Sequence, residues 1–480
     1  MAWPLLAVVW LLSLQAAAMP CEAEHGQMAR QSLDASDVNV ASADVSTDGR
    51  FVAFVSLARL TPADVNTLDD VYVLDRAANT VRLESTTASG AAADGSCQEP
   101  RLSGDGRIVV FSTVAANLIG APVEAVGAQV VRRDRTTGAT TLVSHTPKGG
   151  PGSGWSGHAD VSDDGRFVVF ESRATDLAPG TDANAGGSDI YLFDAADGSI
   201  VRISVAATGE QQALGQSSTP VISGTGRFVA FSSTALLDAA AHPRNDVRIR
   251  NVYLRDLSRR DTRRISATQS GALPNGGSYY PAISADGRRV AFVSVATDLE
   301  GNPRGRPREH VYLYDADDGR LRLLSRGAAG GAADGDSRHP ALSGDGRYVV
   351  FGSDASNLWC PFPCRAGRSE THADLNLVSD VYRIDTVTGA VDRVSGGDSA
   401  DEPWWRSSAG AAIDGSGRVV AFSSRQPMDD ADLEDDDDLY VEVLPVVSDL
   451  AIGLAGPRGA RPCGPGGLPR TSAGAPDGNH

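Results

Sequence analysis

Glu99, His158, Tyr280 and His339 occupy one recurring place along the chain, which Ser42, Thr219 and Gly410 share. A carboxylate, two imidazoles and a phenol gathered around one opening would form a polar recognition site. Gln98, Arg101, Tyr279 and Arg338 stand close by in sequence and would add to it. The same residue types suit acid–base chemistry, with Asp44, Glu99, His158, Asp160 and His339 as acids, bases or ligands. That reading needs two of these groups within hydrogen-bonding distance in a deep, closed pocket. Glu99, His158 and His339 also have the ligand types of a metal site. They fall in the second, third and sixth copies of a repeating unit, which sets one of them across a ring, so no metal is assigned. No nucleophile stands beside a base, and no catalytic residue is assigned.

Further candidates lie in loops. Trp404 and Trp405 adjoin Asp401 and Glu402, and paired tryptophans bury a large area at little entropic cost, as ligand or partner contacts do. The same pair would serve equally well as packing between two repeats. Asp64-Val65-Asn66 followed by Asp69-Asp70, Asp182-Ala183-Asn184 followed by Asp189, and the run Asp429 to Asp438 are oxygen-rich spacings that would suit Ca²⁺. None completes an EF-hand loop, short Asp/Asn loops are ordinarily plain turns, and no cofactor is assigned. Cys360 and Cys364 bracket Pro-Phe-Pro and are expected to form a local disulfide, while Cys21, Cys97 and Cys463 have no evident partner.

The elements that position these residues repeat seven times. A short strand start, a turn, Gly-Arg and a buried strand recur at Gly49-Arg50, Gly106-Arg107, Gly165-Arg166, Gly226-Arg227, Gly287-Arg288, Gly346-Arg347 and Gly417-Arg418, with gaps of 57, 59, 61, 61, 59 and 71 residues. A period of this size marks an array of one supersecondary unit whose copies bury their faces against each other. The third copy reads His158 to Ser162, the turn Asp163-Asp164-Gly165, and the β-branched and aromatic run Arg166 to Phe170. A loop, the strand Asp189 to Asp194, a turn at Gly198 and a fourth strand from Ile200 to Ser204 follow. Asp-Gly supplies the positive φ of a tight turn at Asp48, Asp105, Asp164, Asp286 and Asp345. Four antiparallel strands per copy make one blade, so the expected fold is an all-β, seven-bladed β-propeller.

Six copies end their third strand in an aspartate (Asp75, Asp134, Asp194, Asp256, Asp315, Asp385), whereas the seventh has Val443 and lacks a fourth strand in phase. Residues 29–33 resemble the fourth strands and are expected to complete blade seven and close the ring, removing two exposed sheet edges. The repeated arginines are expected to pair with acidic neighbours, the aspartates ending the third strands among them.

Pro281-Ala282-Ile283-Ser284-Ala285-Asp286-Gly287-Arg288, continued by Ala291-Phe292-Val293-Ser294 and His310-Val311-Tyr312-Leu313-Tyr314-Asp315, resembles the WD40-like propeller repeat of the TolB family. The resemblance spans residues 29–447. It implies a rigid exported propeller that binds through variable loops. TolB's propeller has six blades, and its separate N-terminal domain has no counterpart here. The same repeat precedes α/β-hydrolase domains of the prolyl oligopeptidase class, but no Gly-x-Ser-x-Gly elbow occurs in this sequence.

Residues 1–18 read as a signal peptide, with an apolar core from Leu5 to Leu14 and Ala16 and Ala18 before the cleavage point. Residues 19–28 form a leader and 448–480 a Gly/Pro-rich tail, expected to be disordered. A periplasmic or extracellular location follows. The net charge of −18 argues against nucleic acid and against anionic membrane surfaces. The functional expectation is a non-catalytic, monomeric binding scaffold that recognises a protein or an envelope polysaccharide at one channel mouth. The alternative is a channel-site hydrolase or lyase acting on a carbohydrate or lactone.

Overall fold

The structure, a computed structural model, describes residues 31–33, 43–120, 127–184, 186–238, 249–299, 307–328, 330–358, 378–395, 408–424 and 438–444. Within them, twenty-eight strands form seven four-stranded antiparallel sheets, and the only helix is the single turn Ala116–Ile119. This is a seven-bladed β-propeller. Six blades are consecutive in sequence. In the seventh, the strand Gln31–Leu33 lies beside Asp438–Val443, with Gln31 opposite Val441, Ser32 opposite Tyr440 and Leu33 opposite Leu439.

The second strand of each blade is apolar on both faces because neighbouring blades cover it on both sides. Phe51–Ser56 and Ile108–Thr113 are typical, with interiors closed to solvent. The core therefore lies between blades. Ala53, Val55, Val71 and Val73 of blade one pack with Val109, Phe111 and Val131 of blade two. Within six of the blades a second-strand phenylalanine faces a third-strand tyrosine, as Phe54 does Tyr72 (ring centroids 5.8 Å apart) and Phe170 does Tyr191 (5.7 Å), whereas in blade two Phe111 faces Val131. Such cross-strand pairs contribute about 0.5–1.5 kcal/mol each beyond area burial.

The repeated phrase has a local physical basis. In blade one the Ser46 hydroxyl donates to Asp48 (2.7 Å) and accepts from the Phe51 amide (2.9 Å), while Asp48 also accepts from the Arg50 amide (2.9 Å). Ser103 with Asp105, Ser162 with Asp164, and Ser343 with Asp345 repeat this. The turn glycine is needed twice over: Gly106 has φ +66°, and a Cβ there would come within 2.3 Å of the Phe51 ring of the preceding blade. As expected, the following arginine pairs with the aspartate that ends the third strand. The distances are 2.7 Å for Arg50–Asp75, 2.6 Å for Arg107–Asp134, 2.7 Å for Arg166–Asp194, 2.6 Å for Arg227–Asp256 and 2.8 Å for Arg347–Asp385. Two copies depart from this pattern. Arg288 turns to Asp286 and Asp317, and Arg418, which meets Val443 in place of the aspartate, donates to the Leu444 carbonyl.

The first strands of successive blades line the channel and run from one mouth to the other. At the turn end, main-chain hydrogen bonds link blade to blade: Thr47 N–H to Gly104 O, Gly104 to Asp163, Asp163 to Gly224, Thr225 to Ala285, Ala285 to Gly344, and Gly415 back to Thr47. The seventh junction is a direct approach, in which a Cβ on Gly344 would lie 3.1 Å from Gly415 Cα. This ring of main-chain contacts ties the blades together at the turn mouth, and the other ends of the inner strands border the opposite mouth.

Candidate functional site: the bulge mouth of the channel

The inner strands of blades two to seven break register near their start. The shift falls between Gln98 and Arg101, Gly157 and Asp160, Ser218 and Val221, Tyr279 and Ala282, Arg338 and Ala341, and Ala409 and Ala412. Inside these β-bulges sit Glu99 (φ 56°), His158 (47°), Thr219 (51°), Tyr280 (53°), His339 (51°) and Gly410 (67°). Sequence reading places these residues just before the inner strands; the structure places them within the strands, as the third residue of Cys97–Leu102, Ser156–Val161 and their counterparts. Pro100, Pro220, Pro281 and Pro340 follow four of them, and a bulge is where a strand accepts proline. A left-handed conformation costs an L-residue roughly 1–2 kcal/mol. Only Gly410 escapes that cost. The bulges re-aim the five other side chains at the mouth.

These side chains gather in two arcs. In blades two to four, the Glu99 carboxylate accepts from the His158 backbone amide (2.8 Å) and lies 3.2 Å from His158 Nε2. Glu171, on the second strand of blade three, meets His158 Nδ1 at 2.9 Å and accepts from the Thr219 amide at 3.2 Å. The Ser112 hydroxyl donates to Glu99 (3.2 Å), and Trp155 packs edge-on against the imidazole (5.3 Å). Burial opposes a charge on His158, but hydrogen bonds to Glu171 and Glu99 outweigh it and raise its pKa to about 10. Burial likewise opposes the Glu99 charge, and His158 overrides it, lowering the carboxyl to about 2. At neutral pH the arc is therefore a fixed imidazolium held between two carboxylates.

In blades five and six the arc is aromatic. Tyr280 meets Tyr279 at right angles (5.3 Å) and His339 at a 53° tilt (5.2 Å). The Tyr279 hydroxyl donates to Glu309 (2.5 Å), which also accepts from Arg338 Nε. Arg338 reaches Asp336 at 2.8 Å and Asp354 at 3.5 Å. Burial and the adjacent Arg338 lower the pKa of His339, so it is neutral at pH 7.

Two residues beyond the bulges, one register position carries Asp44, Arg101 and Asp160 in blades one to three and Val221, Ala282, Ala341 and Ala412 in blades four to seven. This position is thus charged in three blades and small or apolar in the other four, where Val221, Ala341 and Ala412 pack with the cores between blades. Asp44 accepts from the Leu102 amide and Asp160 from the Ile222 amide, both at 2.7 Å. Burial raises both carboxyls against the nearby Arg101, that of Asp160 to about 6.

Glu99 and His158 therefore meet, whereas His339 partners Tyr280 and does not join them. The contact lies at an open mouth, with the His158 side chain 42% and that of Glu99 31% exposed, rather than in a deep, closed pocket. Among the described residues no group of three His, Cys, Asp or Glu is placed to hold a metal ion. Asp64 accepts from the Asn66 amide and the Tyr72 hydroxyl, and Asp182 from the Asn184 and Gly186 amides and Gln211. Cys97 is a buried free thiol. Ser42, Trp404, Trp405, Cys360, Cys364, the leader, the tail and all of the run Asp429 to Asp438 but its last residue lie outside the described residues. Sequence reading missed Trp155, Glu171 and Glu309.

No family model matches the chain, and no curated protein matches its sequence. Among solved structures, it is similar to an oligogalacturonate lyase from Vibrio parahaemolyticus, with a TM-score of 0.50 and 13% identity over 87% of this chain and 97% of that one. It is also similar to the β-propeller domain of the trilobed protease from Pyrococcus furiosus (TM-score 0.48, 11% identity, 85% and 95% covered) and to TolB from Acinetobacter baumannii (0.39, 14%, 72% and 63%). At 13% identity, what the first of these likenesses shows is a shared propeller fold.

Proposed function

We propose that this protein is an exported binding scaffold that recognises a protein or an envelope polymer through the bulge mouth of its channel. One observation carries the reading: Glu99, His158, Thr219, Tyr280 and His339 all hold left-handed backbone conformations at one mouth, where glycine would be the relaxed choice, as at Gly410. A backbone cost accepted repeatedly for dissimilar polar and aromatic side chains fits side chains that are used. The electrostatics favour binding over turnover. His158 is held protonated and Glu99 ionised, so neither can exchange a proton readily near pH 7.

The test is paired affinity capture from envelope extract. One bait is the full chain, and the other carries Glu99→Ala, His158→Ala, Tyr280→Ala and His339→Ala. A component retained by the first and lost from the second supports the reading, and equal capture by both overturns it. One feature favours the catalytic alternative: burial lifts the Asp160 carboxyl to about 6 against the lowering pull of the Ile222 amide and Arg101, into the range where a carboxyl can exchange a proton near neutral pH. Turnover of a carbohydrate or lactone abolished by Asp160→Asn would establish that alternative, and turnover unaffected by it would dismiss it.

A further inference from the structure

Resting on the reading of this mouth as a recognition face, we infer that blades five and six form a subsite for the pyranose ring of a neutral glycan. Tyr280 and His339 form its stacking floor, and Glu309, Asp336 and Arg338 its hydrogen-bonding edge.

The floor is assembled before any ligand arrives. Glu309 takes the Tyr279 hydroxyl at 2.5 Å and the Arg338 guanidinium, Tyr279 stands edge-on to Tyr280 at 5.3 Å, and Tyr280 leans on His339 at 5.2 Å. Tyr280 nevertheless remains 44% exposed, one of few large apolar side chains in the described residues left so open. A fixed, exposed aromatic ring loses little entropy on binding and offers its electron-rich face to the weakly positive C–H face of a sugar.

The edge matches the rest of such a ligand. Sugar hydroxyls donate and accept at once, and the edge supplies carboxylate acceptors beside guanidinium donors. Its charge narrows the class. Arg338 is outnumbered by Glu309, Asp336 and Asp354, and the whole chain carries −18. Phosphate-, sulfate- or uronate-bearing ligands are therefore repelled. His339, neutral at pH 7, stacks without adding a cation that would welcome them. An aromatic peptide side chain would use the floor and leave the carboxylate edge without hydroxyl partners.

The test is isothermal titration of the full chain with cellohexaose, maltohexaose and chitohexaose, and with trigalacturonate as the acidic counterpart. The expected result is saturable binding of at least one neutral oligosaccharide and at least tenfold weaker binding of trigalacturonate. Tyr280→Ala and His339→Ala should each weaken the neutral ligand about tenfold, and Tyr280→Phe by less than about threefold, since stacking survives without the hydroxyl. Thermal unfolding of each variant separates lost binding from lost fold. No neutral sugar bound, binding indifferent to a folded Tyr280→Ala variant, or tighter binding of trigalacturonate would overturn the inference. Failure of every sugar alongside success of the paired capture removes the glycan subsite and leaves the scaffold reading standing. Sugar binding unchanged in the fourfold alanine variant removes both.

Discussion

The carboxylate–imidazole–carboxylate arc makes a sharp titration prediction. His158 lies 2.9 Å from Glu171 and 3.2 Å from Glu99, and its pKa stands at about 10 against an ordinary 6.5. An opposite charge in contact shifts a pKa by roughly one to three units. The Glu171 side chain is 7% exposed and that of Glu99 31%, so Glu171 is the less screened partner and has the larger share. Glu171→Gln is expected to lower His158 by about two to three units and Glu99→Gln by about one to two. With both replaced, burial acts unopposed and the imidazole falls below 6.5. The assay is a histidine ring NMR titration from pH 4 to 11. Wild-type His158 should show no inflection between pH 5 and 8, and each variant should bring one closer to neutral. A wild-type inflection near 6.5 would refute the contact geometry itself. The stability linkage has a definite sign. Because the folded pKa of His158 is raised, its contribution is complete below 6.5 and fades as pH climbs towards 10. Because that of Glu99 is depressed, its contribution is complete above 4.5 and fades as pH falls towards 2. The arc therefore stabilises most between about pH 4.5 and 6.5, by less than the shifts alone suggest, since solvent screens half-exposed charges.

Three further perturbations probe the frame around the mouth. Arg347→Ala strips a nearly buried aspartate, Asp385, of its partner and should cost about 1–3 kcal/mol by denaturant unfolding; the exposed Arg50→Ala should cost under about 1 kcal/mol, and equal costs would contradict the burial argument. Deleting residues 29–33 unpairs the edge of Asp438–Val443 and should cost on the order of 2 kcal/mol, seen as a lower thermal midpoint; an unchanged midpoint would refute closure of the ring by this strand. Gly415→Ala would place a Cβ 2.8 Å from the Thr47 carbonyl oxygen, breaking the main-chain ring at the turn mouth; the midpoint should fall while binding at the far mouth persists, and loss of binding with an unchanged midpoint would contradict the separation of the two ends.

The frame was legible because its determinants are local. Gly-Arg recurs seven times, in five copies as Ser-x-Asp-Gly-Arg, which closes its own turn through hydrogen bonds spanning five residues, so the phrase announces seven blades, and the Arg–Asp latches follow from two positions that repeat in step. The bulges were less legible, although two signals were present. Pro100, Pro220, Pro281 and Pro340 interrupt runs that otherwise read as strand, and Gly410 spells the positive φ that the other copies conceal. The partners were least legible because they come from neighbouring strands. Glu171 occupies a second-strand position that holds Val55, Ser112, Ser232, Val293, Gly352 and Ser423 in the other blades, and only alignment of the copies exposes it as a lone charge. Glu309 precedes a third strand, and its use is set by tertiary contact with Tyr279 and Arg338.

The claim that the bulge mouth is the recognition face is tested most directly by hydrogen exchange on the complex retained in the paired capture. The account predicts slowed exchange in Cys97–Leu102, Ser156–Val161, Ser278–Ile283 and Ser337–Leu342, with residues 46–50 and the other Gly-Arg turns unchanged. Protection confined to those turns, or to the outer strands, would contradict it.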